Sequence, residues 1–506
     1  MVVIPKIPRT YRDKIFVAFA KHEFGKFAPD SDETVFRLEH TGYRVTVNGQ
    51  KCEARSCRVS ALPFNRPWPG KQRPFSQSEE AAYVAFCADE AVTLRVACED
   101  LHGEGIVRPL SRGIAVTHEN GEFVFTLRKT GAYTLEIGGS HEALHIFFDP
   151  LKETYDAQGA TYYFGPGLHF PGTLHLKDHD SVYIDREAIV FGSLFAEGAE
   201  DIRVFGGGVV DNSCEERITE HCYEPFNKGC VRFYDCRNVR IEDVILTNSC
   251  TWVLSLFECD EVAIDRIKIV GQWKYNTDGV DIVNSRNVLL KNSFIRAFDD
   301  VISIKGIYDC PSPIAHIHVE GCVLWCDWGH SCEIGVETAV TAYRNIVFSD
   351  CDVIHVKGPA LAVEGGNHAD ISDVLFENIR VELQKDTLPE VVQMCDAQRY
   401  DAEGKEVRPC LISISNEPYA IRTINSTDVV RKNSPQPGRI DGVTFRDIHV
   451  LSEEGVIEPE LRVCVENEKE CLGDMKIEGM LVNGMRCDNL RGFFENYRNF
   501  SGFLMA

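Results

Sequence analysis

Three acidic side chains and one imidazole fall close together in the middle of this chain: Asp278 in Asn276-Thr277-Asp278-Gly279, then the pair Asp299 and Asp300, then His330 after Gly329. Each stands just ahead of a short apolar run, Val280-Asp281-Ile282-Val283, Val301-Ile302-Ser303-Ile304 and Cys332-Glu333-Ile334-Gly335. Carboxylates held side by side are costly unless they share protons, because like charges push one pKa up. Such a group suits glycosidic bond cleavage, where one protonated carboxyl donates to the leaving oxygen and a second carboxylate activates water. The competing reading is structural, since Asp and Asn often bond to backbone amides at tight corners. Three acids on consecutive units, with a histidine, favour chemistry. Spacing alone does not tell Asp299 from Asp300.

Those groups form one patch only if the strands stack, and the chain carries a repeat that would stack them. A unit of alternating apolar residues recurs at Val239, Val262, Val288, Ile317, Ile346, Val374, Val443 and Met475. Between 239 and 374 it returns every 23 to 29 residues, and a second apolar strand precedes each unit. Period-two alternation inside a repeat of that length is what a parallel β-helix requires, each coil stacking on the one below and pointing alternate side chains into a shared core. Neighbouring strands lie about 4.8 Å apart, so Asp278, Asp300 and His330 should ladder along one edge. The 69-residue gap from Val374 to Val443 exceeds two coils, and the polar stretch 385–409 reads as a surface insertion. Residues 1–150 are different. Short strand-like runs flank the turn signals Asn48-Gly49 and Asn120-Gly121, as in Ile114 to Thr117 before the second. The run His145 to Pro150 closes the segment. That pattern predicts an antiparallel β-sandwich. The expected fold is therefore all-β: an N-terminal antiparallel β-sandwich over 1–150, then a right-handed parallel β-helix over 151–506.

Composition narrows the partners. With 506 residues the chain is too long for one ordinary core, and 39 Gly and 21 Pro favour strands and turns over long helices. A formal charge of −24 makes nucleic acid a poor partner, because phosphate binding needs clustered Lys and Arg. It also mildly disfavours a polyanionic polysaccharide. No run approaches the roughly 18 apolar residues of a membrane span. The start, Met1 to Arg9, lacks an apolar signal core, so a soluble cytoplasmic protein is expected. Twenty cysteines lie scattered through apolar patterns and read as reduced core residues, with no paired CxxC spacing for zinc. Cys326 and Cys332 straddle His330, yet the reading requires no metal and no cofactor. A homo-oligomer stays open.

At this point the residues resemble a known family. Asn276-Thr277-Asp278-Gly279, Asp299-Asp300 before Val301-Ile302-Ser303-Ile304-Lys305, and Gly329-His330 look like the NTD, DD and GH(G) motifs of polygalacturonase-like enzymes, glycoside hydrolase family 28. Phe164-Gly165-Pro166-Gly167 through Gly206-Gly207-Gly208-Val209-Val210-Asp211 is similar to that family's first coils, and the likeness covers roughly 160–380. The resemblance implies hydrolysis with inversion. Asp299 would be the general acid, Asp278 and Asp300 would activate water, and His330 would support the acid. One part of the pattern is missing. The family's Arg-Ile-Lys motif, which holds the galacturonate carboxylate, is replaced by Ala360-Leu361-Ala362-Val363-Glu364-Gly365, and Ser331 stands where glycine is usual. A carboxylate in place of cations points to hydroxyl recognition. A neutral α-linked glycan is therefore expected, as for the related β-helix dextranases, which also carry an N-terminal β-sandwich.

Asn276, Lys305, Glu364 and His368 are the candidate substrate-binding residues, and Trp273 and Trp328 are candidate stacking platforms. Exo action on short oligosaccharides would suit an intracellular enzyme. The alternatives are an exo-polygalacturonase or rhamnogalacturonan-type hydrolase and a β-helix lyase or epimerase, which would need a base and commonly calcium. A glycan-binding β-helix with an inactive site is the non-enzymatic alternative.

Overall fold

A computed structural model describes residues 1–7, 16–17, 35–36, 38–40, 42–60, 78–151, 155, 157–215, 217, 228–385, 408–416, 438–454, 456, 459–465, 471–487 and 503–505. Nearly all of the predicted insertion at 385–409 lies outside them. No helix among the described residues is long and apolar enough to cross a membrane.

The N-terminal segment forms two sheets facing one another. One orders Thr117–Glu119, Glu122–Leu127, Val92–Cys98, Tyr43–Val47 and Gln50–Cys52, all antiparallel. The other holds Arg55–Ser60, Ser78–Ala88, Leu144–Asp149, Gly131–Ile137 and Gly105–Arg108, with Val2–Val3 at an edge. Both Asn-Gly signals are two-residue hairpin turns, with Asn48, Gly49, Asn120 and Gly121 at positive φ. Two details depart from the expectation. Leu144–Asp149 pairs parallel with Ser78–Ala88. The second hairpin begins at Thr117, not Ile114, because a 3-10 turn over Leu110–Arg112 ends in left-handed Gly113 and redirects the chain. Ile114 and Val116 pack on the sandwich core instead.

From Tyr162–Phe164 onward the described residues form one 30-stranded sheet that winds as a parallel β-helix, antiparallel only where Leu481–Val482 meets Met485–Arg486. The repeat positions are its register. Val239, Val262, Val288, Ile317, Ile346, Val374, Val443 and Met475 pair directly, one above the next. Their side chains point inward, and the row two residues on includes Phe348, Phe376 and Phe445, whose rings stack at 5.1 Å centroid spacing. The residue before seven of the eight anchors, all but Met475, bends the chain through the left-handed region: Asn238, Glu261, Asn287, His316, Asn345, Asp373 and Gly442 have φ between 51° and 63°. That conformation favours Asn, Asp and Gly, which explains why polar residues punctuate the repeat. The described cysteines are free and most are buried, among them Cys322 and Cys351 in this core.

The sandwich lies along one side of the helix. Tyr83 and Phe147 pack on Phe294, Val323 and Trp325. Lys268 of the helix donates to both carboxylate oxygens of Asp149 at 2.8 and 2.7 Å. Arg108 pairs with Glu136 at 2.7 Å and reaches Glu382 at 2.5 Å. His145 Nε2 accepts from Arg296 at 3.3 Å while its Nδ1 meets Thr134 Oγ1 at 2.9 Å, and Arg296 meets Asp327 at 3.3 Å. Arg296 and Asp327 each lie just upstream of the acid pair and of His330.

Candidate active site

Coil stacking brings the predicted groups together. Gly279 N–H donates to Asp300 O at 2.8 Å, and Val301 N–H to His330 O at 2.7 Å, so Asp278, Asp299-Asp300 and His330 occupy successive coils. Two glycines permit the approach. A Cβ on Gly279 would stand 2.4 Å from Val301 O, and one on Gly329 would stand 2.5 Å from Asp300 N. Asn276 turns the chain at φ 53°, and Arg217 fixes that corner by donating to Tyr275 O and Asn276 Oδ1, both at 2.9 Å.

Lys305 sits beneath the acids, 4% exposed. Its Nζ lies 2.7 Å from Asp278, 2.9 Å from Asp281 and 3.4 Å from Asp300, and 4.3 Å over the Trp252 ring. Its three N–H donors thus have three carboxylate partners. Burial and the neighbouring charges then separate the adjacent acids. Asp299 is pushed up to about 7, first by burial and then by the charge of Asp300. Burial acts to raise Asp300 too, but the Lys305 ammonium and the His330 hydrogen bonds overcome it and hold that carboxyl well below its ordinary range. Those bonds come from His330 N–H at 3.0 Å and Nδ1 at 2.8 Å, both to Asp300 Oδ1. Burial alone would lower His330, yet Glu333 and Asp300 raise it well above 6.5, so it stands as an imidazolium. Burial drives Asp278 and Asp281 upward against the pull of Lys305. Neighbouring carboxyls pushed in opposite directions are the signature of an acid and base pair.

The remaining candidates fall in different places. Asn276 Nδ2 is 3.5 Å from Asp299 Oδ2, at the edge of hydrogen bonding. Glu364 lies 3.9 Å from His330 Nε2. His368 follows in the turn 365–369, which is tied to Val336 and Thr338 by backbone bonds from Gly366 and Ala369. Trp273 is 6% exposed, whereas Trp328 is 40% exposed and stacks on Phe298 beside Asp299. Cys326 and Cys332 both point into the internal core, away from the His330 ring. Asp300, His330 and Glu333 put donor atoms within 4.8 Å of one another.

Four residues close to the acids escaped the sequence reading. Asp281 and Glu333 sit inside strands, but at outward positions of one row, Asp281–Ser303–Glu333–Ala362–Ser413. A charge breaking an apolar strand was the available signal. Trp252 and Arg217 come from earlier coils, and no local pattern marks them.

The class that fold and site define is a parallel β-helix carrying acids on successive coils. Residues 163–414 match the profile of glycosyl hydrolases family 28, and the chain is a family-28-like parallel β-helix protein. It is similar to polygalacturonase QRT2 of Arabidopsis thaliana, 24% identical over 302 residues covering 56% of this chain and 64% of that one. It also resembles a probable rhamnogalacturonase A of Aspergillus oryzae, 28% identical over 148 residues, 29% and 30% of the two chains. The chain spans about half the length of several curated relatives it matches. Among solved structures, Dex49A from Penicillium minioluteum shares the fold over 92% of this chain and 94% of its own, with a TM-score of 0.60 at 13% identity.

Proposed function

We propose that this chain is an inverting hydrolase of α-glycosidic bonds in neutral oligosaccharides. The observation that carries the reading is the divided pair: Asp299 near 7 and Asp300 held ionised by Lys305 and His330. Asp299 gives its proton to the glycosidic oxygen as the bond from that oxygen to the anomeric carbon breaks. Asp300, with Asp278 beside it, takes a proton from water, whose oxygen bonds to the anomeric carbon from the opposite face. Exchange with solvent then returns a proton to Asp299 and removes one from Asp300. Lys305 serves from below as the counter-ion of the carboxylates, and His330 orients Asp300. Asn276, held by Arg217, steadies Asp299.

The relatives' names favour a second reading, a galacturonate or rhamnogalacturonan polymer as substrate. Against it stands Glu364, outward on the coil where the family's cations would lie. Screening defined α-linked neutral and uronate oligosaccharides for new reducing ends separates the two, with Asp299→Asn as the inactive control. Release from uronates alone would replace the first reading by the second, and binding without release from any glycan would remove both.

A further inference from the structure

A chain of buried polar side chains crosses from the sandwich to the helix and ends behind the turns that carry Asp299 and His330. It begins at Thr134 and His145, which face each other on neighbouring strands of the sandwich and are joined at 2.9 Å. Burial first, then the charges of Arg296 and His355, hold the His145 ring well below its ordinary range, so it is neutral. A guanidinium only donates, so Nε2 accepts from Arg296 Nη1 and the Nδ1 proton goes to Thr134 Oγ1. The other edge of Arg296 meets both oxygens of Asp327, Nε at 3.4 Å and Nη2 at 3.3 Å, and its face lies 3.9 Å over the Trp325 ring. Trp325 Nε1 donates to Asp327 at 2.7 Å. His145, Arg296 and Asp327 are each fully buried. Little slack separates this chain from the acids. Only Ala297 and Phe298 stand between Arg296 and Asp299, and only Trp328 and Gly329 between Asp327 and His330. Asp327 N–H donates to Ala297 O at 3.0 Å, and the Phe298 and Trp328 rings stack at 5.4 Å, so the two turns are tied to one another. Apolar packing such as Phe147 on Phe294 is non-directional, whereas hydrogen bonds between buried partners hold one geometry.

We infer that the sandwich is part of the active site, with His145 as a positioning residue that holds Asp299 in place beside Asp300 and His330 by way of Arg296 and Asp327. The inference rests on the hydrolase reading for the role of Asp299 and adds what keeps that side chain where it must be. A supporting shell of this kind governs catalysis because a small displacement of a reacting group is enough to slow it.

The test compares the unsubstituted chain, His145→Asn and His145→Gln, each with and without Asp299→Asn, in thermal melts near pH 4 and near pH 8.5. Asparagine reaches the place of Nδ1 and keeps the bond to Thr134 but offers Arg296 no acceptor, whereas glutamine sets an oxygen near the place of Nε2 and restores it. A merely structural histidine would lower the melting midpoints with and without Asp299→Asn alike, leaving the gap between them unchanged. If His145 positions Asp299, the gap at the upper pH should shrink from roughly 4 °C to about 2 °C or less in His145→Asn and return in His145→Gln. The reason is that a carboxyl moved from its buried place beside Asp300 titrates closer to its ordinary value. A gap unchanged in His145→Asn, or lost equally in both variants, would overturn the inference. For hydrolysis, the substrate is whichever of isomaltotetraose, nigerotetraose and tetragalacturonate the unsubstituted chain cleaves fastest. In His145→Asn kcat should fall by up to about a hundredfold at nearly constant KM, and the alkaline limb of the pH–rate profile should move to lower pH. A shrunken gap with no hydrolysis by the unsubstituted chain would remove the hydrolase reading and leave the positioning role. Hydrolysis that keeps its kcat and its alkaline limb in His145→Asn would do the reverse.

Discussion

Asp299→Asn should abolish turnover and, at alkaline pH, raise stability. The carboxyl ionises at 3.8 when unperturbed and near 7 in the folded chain, burial being the first cause and Asp300 the second. Below 3.8 both folded and unfolded chains hold the proton, so nothing is lost. Between 3.8 and 7 the unfolded chain releases it and the folded chain does not, so stability falls as pH rises, and above 7 the loss is complete. At about 1.4 kcal/mol per pH unit the full loss is about 4 kcal/mol. Asparagine never ionises and escapes it. With an unfolding entropy of about 2 cal/mol/K per residue over a chain of this length, that is roughly 4 °C in melting midpoint. Thermal melts at one scan rate, near pH 4 and near pH 8.5, compare the two proteins. The midpoints should nearly coincide at the lower pH, and the variant should melt several degrees higher at the upper. A gap that does not grow with pH, or a variant that melts lower at alkaline pH, would refute the assignment of a raised pKa to Asp299.

Removing Lys305 should act in the opposite sense on Asp300. In Lys305→Met the depressed carboxyl loses its cation, so the acid limb of the pH–rate profile should move to higher pH and kcat should fall. An unmoved acid limb would separate Asp300 from the base role. Lys268→Met would leave Asp149 buried with its nearest remaining ion pair, to Arg186, at 3.8 Å. Breaking such a pair costs about 3–5 kcal/mol, and hydrogen exchange should quicken in Leu144–Asp149 while the helix core stays protected. Phe376→Ala removes the middle ring of the Phe348–Phe376–Phe445 stack and should cost about 3–5 kcal/mol, read as a lower denaturation midpoint with turnover retained before unfolding. Loss of activity ahead of unfolding would show that the stack also shapes the site.

The coil register was legible in the sequence because it is written in inward-facing residues. Val239, Val262, Val288 and their successors must stack to share one core, and the left-handed corner before most of them favours Asn, Asp or Gly. Asp278, Asp299, Asp300 and His330 were legible for the same reason, since each precedes a strand whose register those residues set. What lay hidden depends on contacts across coils. Lys305 read as a ligand for sugar hydroxyls, but its outward position directs Nζ back to Asp278 and Asp281 of the preceding coil. Glu333 sits in an apolar strand, and only pairing with Ser303 and Ala362 shows that it faces outward beside His330. Arg217 lies in a stretch without period, and its reach to Asn276 follows from tertiary packing alone. In the sandwich, the parallel pairing of Leu144–Asp149 with Ser78–Ala88 joins segments far apart in sequence, which no local turn signal encodes.

In the proposed reaction Asp299 and Asp300 work on opposite faces of the anomeric carbon in a single displacement. Proton NMR of the first-formed product from a neutral α-linked oligosaccharide, recorded before mutarotation, tests this directly. The β-anomer should appear first, and an initial α-anomer would mean retention and exclude the single displacement.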